Sequence, residues 1–443
     1  MNSVVVGLGK TGASLVRYLA KRGDQVSATD SRRAPPGLAE LGDLAAGVEL
    51  RLGGFDLSLL EGASRLLMSP GVSLNEPIAR AARERGIDVL GDVELFAREV
   101  KAPVIGITGT NGKSTVTTLV ARMAAAAGRR VLAGGNLGEP ALDLLEQPQP
   151  DLYVLELSSF QLETTASLVL QAAVVLNVSA DHLDRYPSIE AYARAKGRIF
   201  ALAQAVVLNA DDPWVMAMRD QAGDAARTVT FSIERDDADF SLLRADGKVF
   251  LARGREALLD VQRMKISGLH NAANALAALA LGEAAGLPMP AMLAALESFP
   301  GLPHRSSWVA DVAGVRYVDD SKGTNVGATT AAVAGMTGPL VMIAGGEGKG
   351  QDFAPLAEAF RGKVREAVLI GKDAPAIAAA LEGVCAIRNA ASMEDAVAQA
   401  TRGARPGDTV LLSPACASFD MFRNYGHRGD VFAAAVLKLA GGA

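Results

Sequence analysis

Cysteine is almost absent from this chain. Cys385 and Cys416 are the only two in 443 residues, and there are only four histidines. That excludes a disulfide framework and a zinc site built on Cys and His, and it predicts a reducing compartment. Positive charge is not in excess either, with 44 Lys and Arg against 49 Asp and Glu and a formal net charge of −5. A nucleic-acid or anionic-membrane surface would need a basic stripe, so neither is expected as a partner. No apolar stretch reaches the ~18 residues of a membrane span. Strand-like residues begin at Ser3 with no basic and apolar leader before them, which predicts a cytoplasmic protein. There is no repeat of fixed period and no low-complexity linker.

What is present is a steady alternation. Short β-branched runs such as "SVVVG" and "QVSATD" flank amphipathic stretches, the first of them a helix predicted over Thr11 to Lys21. That rhythm reads as βαβ units and mostly parallel sheets. At roughly 150 residues per domain the length calls for about three domains. Breaks fall near "GIDVLGDVELF" and near "SFPGLPHRSSW", where Pro300, Gly301 and Pro303 end a helical region. Between Thr228 and Met264, "TVTFSI" and "KVFLARG" lack helical period and predict a small antiparallel insert. The predicted architecture is α/β in three domains: a Rossmann-like domain over 1–92, a central P-loop ATPase-type α/β domain with the insert over 93–299, and a second Rossmann-like domain over 300–443.

Two glycine loops carry the chemistry. Gly7-Leu8-Gly9-Lys10-Thr11-Gly12 follows a strand, opens a helix and has Asp30 at the next strand end. Glycines there let backbone amides approach a diphosphate, and the acid can bind a ribose hydroxyl. NAD, another nucleotide diphosphate and a plain strand-to-helix turn all satisfy this pattern. The second loop, in "VIGITGTNGKSTV", departs from the usual P-loop spacing, because Ile107 stands where the earlier glycine would be. Its physics survives: small residues turn amides toward phosphates, Lys113 neutralises charge, and Ser114 or Thr115 can ligate Mg²⁺. ATP is the expected ligand. An oxidoreductase built on the first loop and a P-loop switch or motor built on the second are the competing classes.

Downstream, "DLYVLELSSFQLE" is an apolar strand ending in Glu156, a candidate Mg²⁺ ligand whose other reading is helix-start chemistry with Ser158 and Ser159. "AAVVLNV" runs into "SADHLDRY" and puts His182 on the same edge. In "SIEAYARAKGRIF", helical spacing sets Lys196 on the stripe that should face the core. A buried ammonium must snorkel, pair, or be altered; carbamylation by CO₂ would make it a carboxylate-like group. The last domain offers charged strand-end loops in "YVDDSKGTN", "IAGGEGKGQDF" and "LLSPACASFDMFRNYGHRG", suited to a small anionic substrate or simply solvated.

The segments GTNGKST, ELSSFQLE, NVSADHLDRY, GLHNAANALAAL, GLPHR, DDSKGTN, GGEGKG and LLSPACASFDMF, in this order over essentially the whole chain, resemble the Mur ligases of peptidoglycan synthesis. GLPHR and SPACASFDMF resemble the member that adds D-glutamate. The resemblance implies that the first loop holds the UDP of UDP-N-acetylmuramoyl-L-alanine and the central loop holds ATP. Phosphorylation of the alanine carboxylate then gives an acyl phosphate that the glutamate amine attacks. It implies catalytic roles for Lys113, Glu156, His182 and Lys196, with Mg²⁺ organised by Ser114, Glu156, His182 and carbamylated Lys196. ATP contacts would come from Gly109, Thr110, Asn111, Gly112, Lys113, Ser114, Thr115, Asn271, Arg305 and Asp320. Lys10, Thr11, Asp30, Ser31 and Arg32 would line the uridine pocket, and Ser69, Asn136 and His182 the sugar-peptide arm. Lys322, Thr324, Lys349, Ser418 and Tyr425 would receive glutamate, Tyr425 departing from the phenylalanine common there. A monomer is implied, with a last domain that swings in.

Overall fold

The structure is a computed structural model that describes residues 1–224, 226–266, 268–336 and 338–441. Three sheets organise it. The first is wholly parallel, in the spatial order Glu49–Leu52, Gln25–Asp30, Asn2–Val6, Arg65–Met68, Asp88–Leu90. Strand order reverses beside Asn2–Val6, so the loop after that strand opens at a topological switch point, where doubly wound sheets bind ligands. The helix Lys10–Lys21 leaves that loop directly. It can pack so close because Gly12 lacks a side chain: a Cβ there would lie 1.9 Å from the Gly7 carbonyl oxygen.

The second sheet has nine strands, in the order Glu256–Asp260, Lys248–Arg253, Phe240–Ala245, Arg227–Phe231, Ala205–Asn209, Ala172–Val175, Val104–Thr108, Leu152–Glu156, Val131–Gly135. Every residue of Val104–Thr108, Leu152–Glu156 and Ala172–Val175 is buried. Parallel strands covered on both faces need apolar side chains on both, which is why these runs show no alternation in sequence. The predicted insert is smaller than its sequence limits, and it is not a separate layer. Arg227–Phe231, which holds most of "TVTFSI", pairs in parallel with Ala205–Asn209 inside the main sheet. Antiparallel pairing begins with the hairpin of Phe240–Ala245 and Lys248–Arg253. Its two-residue turn, Asp246-Gly247, has φ of 51° and 72°, the two positive values that match the strands' twist.

The third sheet runs Ser307–Val312, Val315–Asp319, Thr409–Leu412, Leu340–Gly345, Val364–Ile370, Ala386–Asn389, antiparallel only in its first pair. Successive residues serve opposite cores. Met342, Ala344, Leu369 and Leu411 pack in one apolar cluster, while Val341, Ile343, Val368 and Leu412 pack in another, the period of two that a strand imposes.

The chain gathers into two compact units. One comprises Met1–Val178, Tyr192–Leu259 and Asn274–Leu296 and holds the first two sheets; the other comprises Ser179–Ala191, Asp260–Ala273 and Glu297–Ala443 and holds the third. Among the described residues no helix is long and apolar enough to cross a membrane.

Candidate functional site

In the first unit the central glycine loop joins the buried strand Val104–Thr108 to the helix Lys113–Ala126. Gly112 caps that helix in the left-handed region, φ 84°, and a Cβ on it would meet Asn274 Oδ1 at 2.3 Å. The loop's shape is set by Asn177. Its carbonyl accepts from the Thr110 amide at 2.9 Å, its Oδ1 from the Asn111 amide at 2.8 Å, and its Nδ2 donates back to the Asn111 carbonyl at 3.2 Å. Lys113 Nζ donates to the carbonyls of Gly109 at 2.8 Å and Thr110 at 2.9 Å, so its ammonium lies against the loop. Ser114 and Thr115 are buried in the first helical turn.

Glu156 sits one strand over, in register with Ile107. It is 2% exposed; Oε1 accepts from Asn136 Nδ2 at 2.6 Å, while the buried Oε2 has no hydrogen-bond partner. Helix-start chemistry does not explain it, because Ser158 and Gln161 form the capping box between themselves. Lys196 is 1% exposed, so it does not snorkel. Its Nζ donates to the Gly109 carbonyl at 2.9 Å and lies 4.4 Å from the centre of the Tyr192 ring.

Around the first glycine loop, Asp30 is buried and accepts from the Leu8 amide at 2.7 Å and from Arg32 through its amide, Nε and Nη2 at 2.7 to 2.9 Å. Burial alone raises this carboxyl, but the hydrogen bonds from Arg32 and Leu8 outweigh it and hold the group below the usual carboxylate range. Asp30 therefore ties the loop and aims Arg32, whose side chain is half exposed. Ser69 lies under Gly7, Ser31 is exposed and Thr11 half-buried. Lys10 Nζ donates to the Gly138 carbonyl at 2.9 Å. Asn136 Nδ2 donates to Glu156 Oε1 at 2.6 Å.

In the second unit three strand-end loops are stitched by backbone bonds: Ala415 N to Gly323 O at 2.9 Å, Gly345 N to Pro414 O at 2.8 Å, and Glu347 with Ala417 in both directions. Lys322 Nζ lies 4.0 Å from the Tyr425 ring centre, the Thr324 amide donates to the Lys322 carbonyl, and Ser418 is buried in the adjoining loop. Lys349 forms an ion pair with Asp181, which also accepts from Asn325 Nδ2 at 3.3 Å. His182, at φ 55°, belongs to this unit, whereas Lys196 belongs to the other. The Asn271 amide donates to the Gly268 carbonyl.

Asp320 is turned inward. It accepts from Ser413 Oγ at 2.7 Å and the Ser306 amide at 3.1 Å. Burial pushes it up to about 7, assisted by the charge of Asp319 and opposed by Ser413, Ser306 and Arg305. A carboxyl raised in the folded state favours folding at low pH, and that contribution is lost as pH rises through about 7. Asp320→Asn mimics the protonated form. Its melting temperature relative to wild type should therefore rise between about pH 5 and about pH 8, read by calorimetry on the ligand-free protein; parallel curves would refute this.

Asn177, Asn274, Asp181 and the His304–Asp319 pair, 2.6 Å apart, were not singled out in sequence. A polar residue inside an otherwise apolar helix, as in "NAANALAAL", is the signal that could have found Asn274.

Family models match along most of the chain: the Mur ligase MurD-like N-terminal domain at residues 1–91, the Mur ligase middle domain at 107–282, and the Mur ligase glutamate ligase domain at 304–416. The chain is 54% identical over 439 residues to a UDP-N-acetylmuramoylalanine--D-glutamate ligase of Nitrosococcus oceani, covering 99% of this chain and 96% of that relative. To the protein of the same name in Pseudomonas aeruginosa it is 51% identical over 442 residues, covering 99% and 98%. Among solved structures it resembles a UDP-N-acetylmuramate-alanine ligase of Thermotoga maritima, with TM-score 0.63, 19% identity and 99% of each chain covered. A pseudomurein peptide ligase of Methanothermus fervidus superposes with TM-score 0.65 at 20% identity, over 99% of this chain and 100% of that one.

Proposed function

The chain belongs to the Mur ligase family, and from that premise we infer that it is the ADP-forming ligase that joins D-glutamate to UDP-N-acetylmuramoyl-L-alanine in peptidoglycan precursor synthesis. What carries this reading is a glycine loop bearing Lys113, with the unpartnered Glu156 Oε2 on the neighbouring strand. A carboxylate is a poor acyl donor; phosphorylation gives it a leaving group. The protein then has little covalent work and acts by positioning and charge.

Residues Gly109 to Thr115 receive the phosphates of ATP, and Lys113 moves from its carbonyl partners to the phosphoryl in flight. Asn271, Arg305 and Asp320 contribute to the nucleotide, the last through Ser306 and Ser413. A buried carboxylate oxygen without a donor fits a hard cation, so Glu156 with Ser114 would hold Mg²⁺, and His182 with Lys196 as a carbamate would hold a second. Among the described residues no three Asp, Glu, His or Cys side chains gather as a metal cage. Mg²⁺ uses one or two carboxylates and takes the rest of its shell from phosphate and water. When bound, the ion neutralises phosphate charge. Lys10, Thr11, Asp30, Ser31 and Arg32 receive uridine, and Ser69 and Asn136 the sugar-peptide arm. Lys322, Thr324, Lys349, Ser418 and Tyr425 receive glutamate.

We assign domains at 1–92, 93–299 and 300–443, one per sheet, and a cytoplasmic monomer acting without nucleic acid or membrane.

The test is ADP release with each substrate omitted in turn. Release should require both the muramoyl acceptor and D-glutamate, with one amide per ADP and little response to L-glutamate. Equal release with either substrate left out would sink the reading.

A further inference from the structure

The helix Tyr425–Gly441 carries Arg428 in its first turns. This guanidinium is 1% exposed, yet it forms no ion pair among the described residues. Burying such a charge is costly unless its donors are met. They are met by the strand-end loops. Nε donates to Ser321 Oγ at 3.0 Å and Nη2 to the Ser321 carbonyl at 2.8 Å, while Nη1 reaches the carbonyls of Cys416 at 3.1 Å and Ala417 at 3.4 Å. Ser321 Oγ donates in turn to the Tyr425 carbonyl at 2.8 Å.

The bonds end in the loops that carry the glutamate set: Ser321 precedes Lys322, Cys416 and Ala417 precede Ser418, and Ser321 links on to Tyr425 at the start of the arginine's own helix. A planar fork of five donors can hold several carbonyls at fixed angles; a lysine, with one flexible nitrogen, cannot. Burial also lowers this guanidinium to about 10, offset only in part by the charges of Asp420, Asp319 and Asp320, none of which pairs with it directly. The helix does not need the charge for its docking, since Phe432 and Val436 are fully buried in the core under the sheet.

We infer that Arg428 is a positioning residue of the amino-acid pocket, a clamp that sets the spacing of Lys322, Ser418 and Tyr425. The inference rests on the reading that these three receive glutamate.

Its test is the KM for each substrate, with melting temperature, in Arg428→Met and Arg428→Lys. The KM for D-glutamate should rise about tenfold to a hundredfold in both, because misplacement by a fraction of an ångström suffices. The KM values for ATP and the muramoyl acceptor should stay within about twofold. In Arg428→Ala, added guanidinium should lower the glutamate KM while methylammonium does not. An unchanged glutamate KM in either variant overturns the clamp, as do three KM values rising together. If the methionine variant does not fold, the lysine variant is read by the same criteria. Wild-type protein that releases ADP with another amino acid in place of glutamate overturns the pocket's assignment alone, and the clamp is then read on that amino acid's KM.

Discussion

Lys113→Ala lowers glutamate-dependent ADP formation about a thousandfold, the scale of removing one preorganised charge partner from a developing transition state. The structure gives the reason and the control. Lys113 Nζ donates to two carbonyls of its own loop, Gly109 and Thr110. The apolar contacts that fix strand and helix come from Val104, Ile105, Ile107, Val116 and Leu119, all buried. Truncation should therefore leave the melting temperature within a few degrees of wild type while removing the cation from the migrating phosphoryl. Steady-state ADP and amide assays beside a thermal melt check both halves. A folded variant that makes the amide at the wild-type rate would remove the central loop from the chemistry.

Lys196→Ala is expected to lose about a hundredfold or more in turnover, with acetate or formate restoring part of it. Lys113 and Lys196 donate to the same Gly109 carbonyl, at 2.8 and 2.9 Å. Their nitrogens therefore lie at most about 6 Å apart, where two ammonium charges repel by about 3 kcal/mol at an effective dielectric of 20. Carbamylation turns this repulsion into attraction, and the carbamate N–H can still donate to Gly109. A small carboxylate entering the space left by alanine would replace that negative charge. Carbonyl-carbon NMR on protein equilibrated with isotope-labelled bicarbonate reads the modification without turnover. No carbamate signal, together with no rescue by acetate, would establish a bare lysine.

Several features were legible because their cause is local. Gly12 stands where a Cβ would strike the Gly7 carbonyl oxygen and Gly112 holds a φ of 84°, so the backbone of each loop itself requires them. The unbroken apolar runs of the central strands report burial on both faces, and the spacing of Tyr192, Lys196 and Phe200 put a lysine among core residues. The hairpin at Asp246-Gly247 is likewise written in two adjacent residues, although the sequence limits drawn around it took in Arg227–Phe231, a strand of the parallel sheet. Pairing direction depends on what lies alongside, and a strand's own residues do not record that.

The remainder is decided by partners far apart in the chain. Asp181 and Lys349 are 168 positions apart and share an ion pair; Arg428 reaches back 107 positions to Ser321. The sequence places Asp30 after a strand, and only the folded loop shows that its oxygens also hold the Leu8 amide and Arg32. Sequence alone determined the α/β class, the strands buried on both faces and the two glycine turns, because sterics and apolar periodicity act between near neighbours. Tertiary structure alone decided which carboxylates are engaged, which guanidinium is buried on carbonyls and which loops are bound together, because hydrogen bonds and desolvation depend on groups that only folding brings into contact.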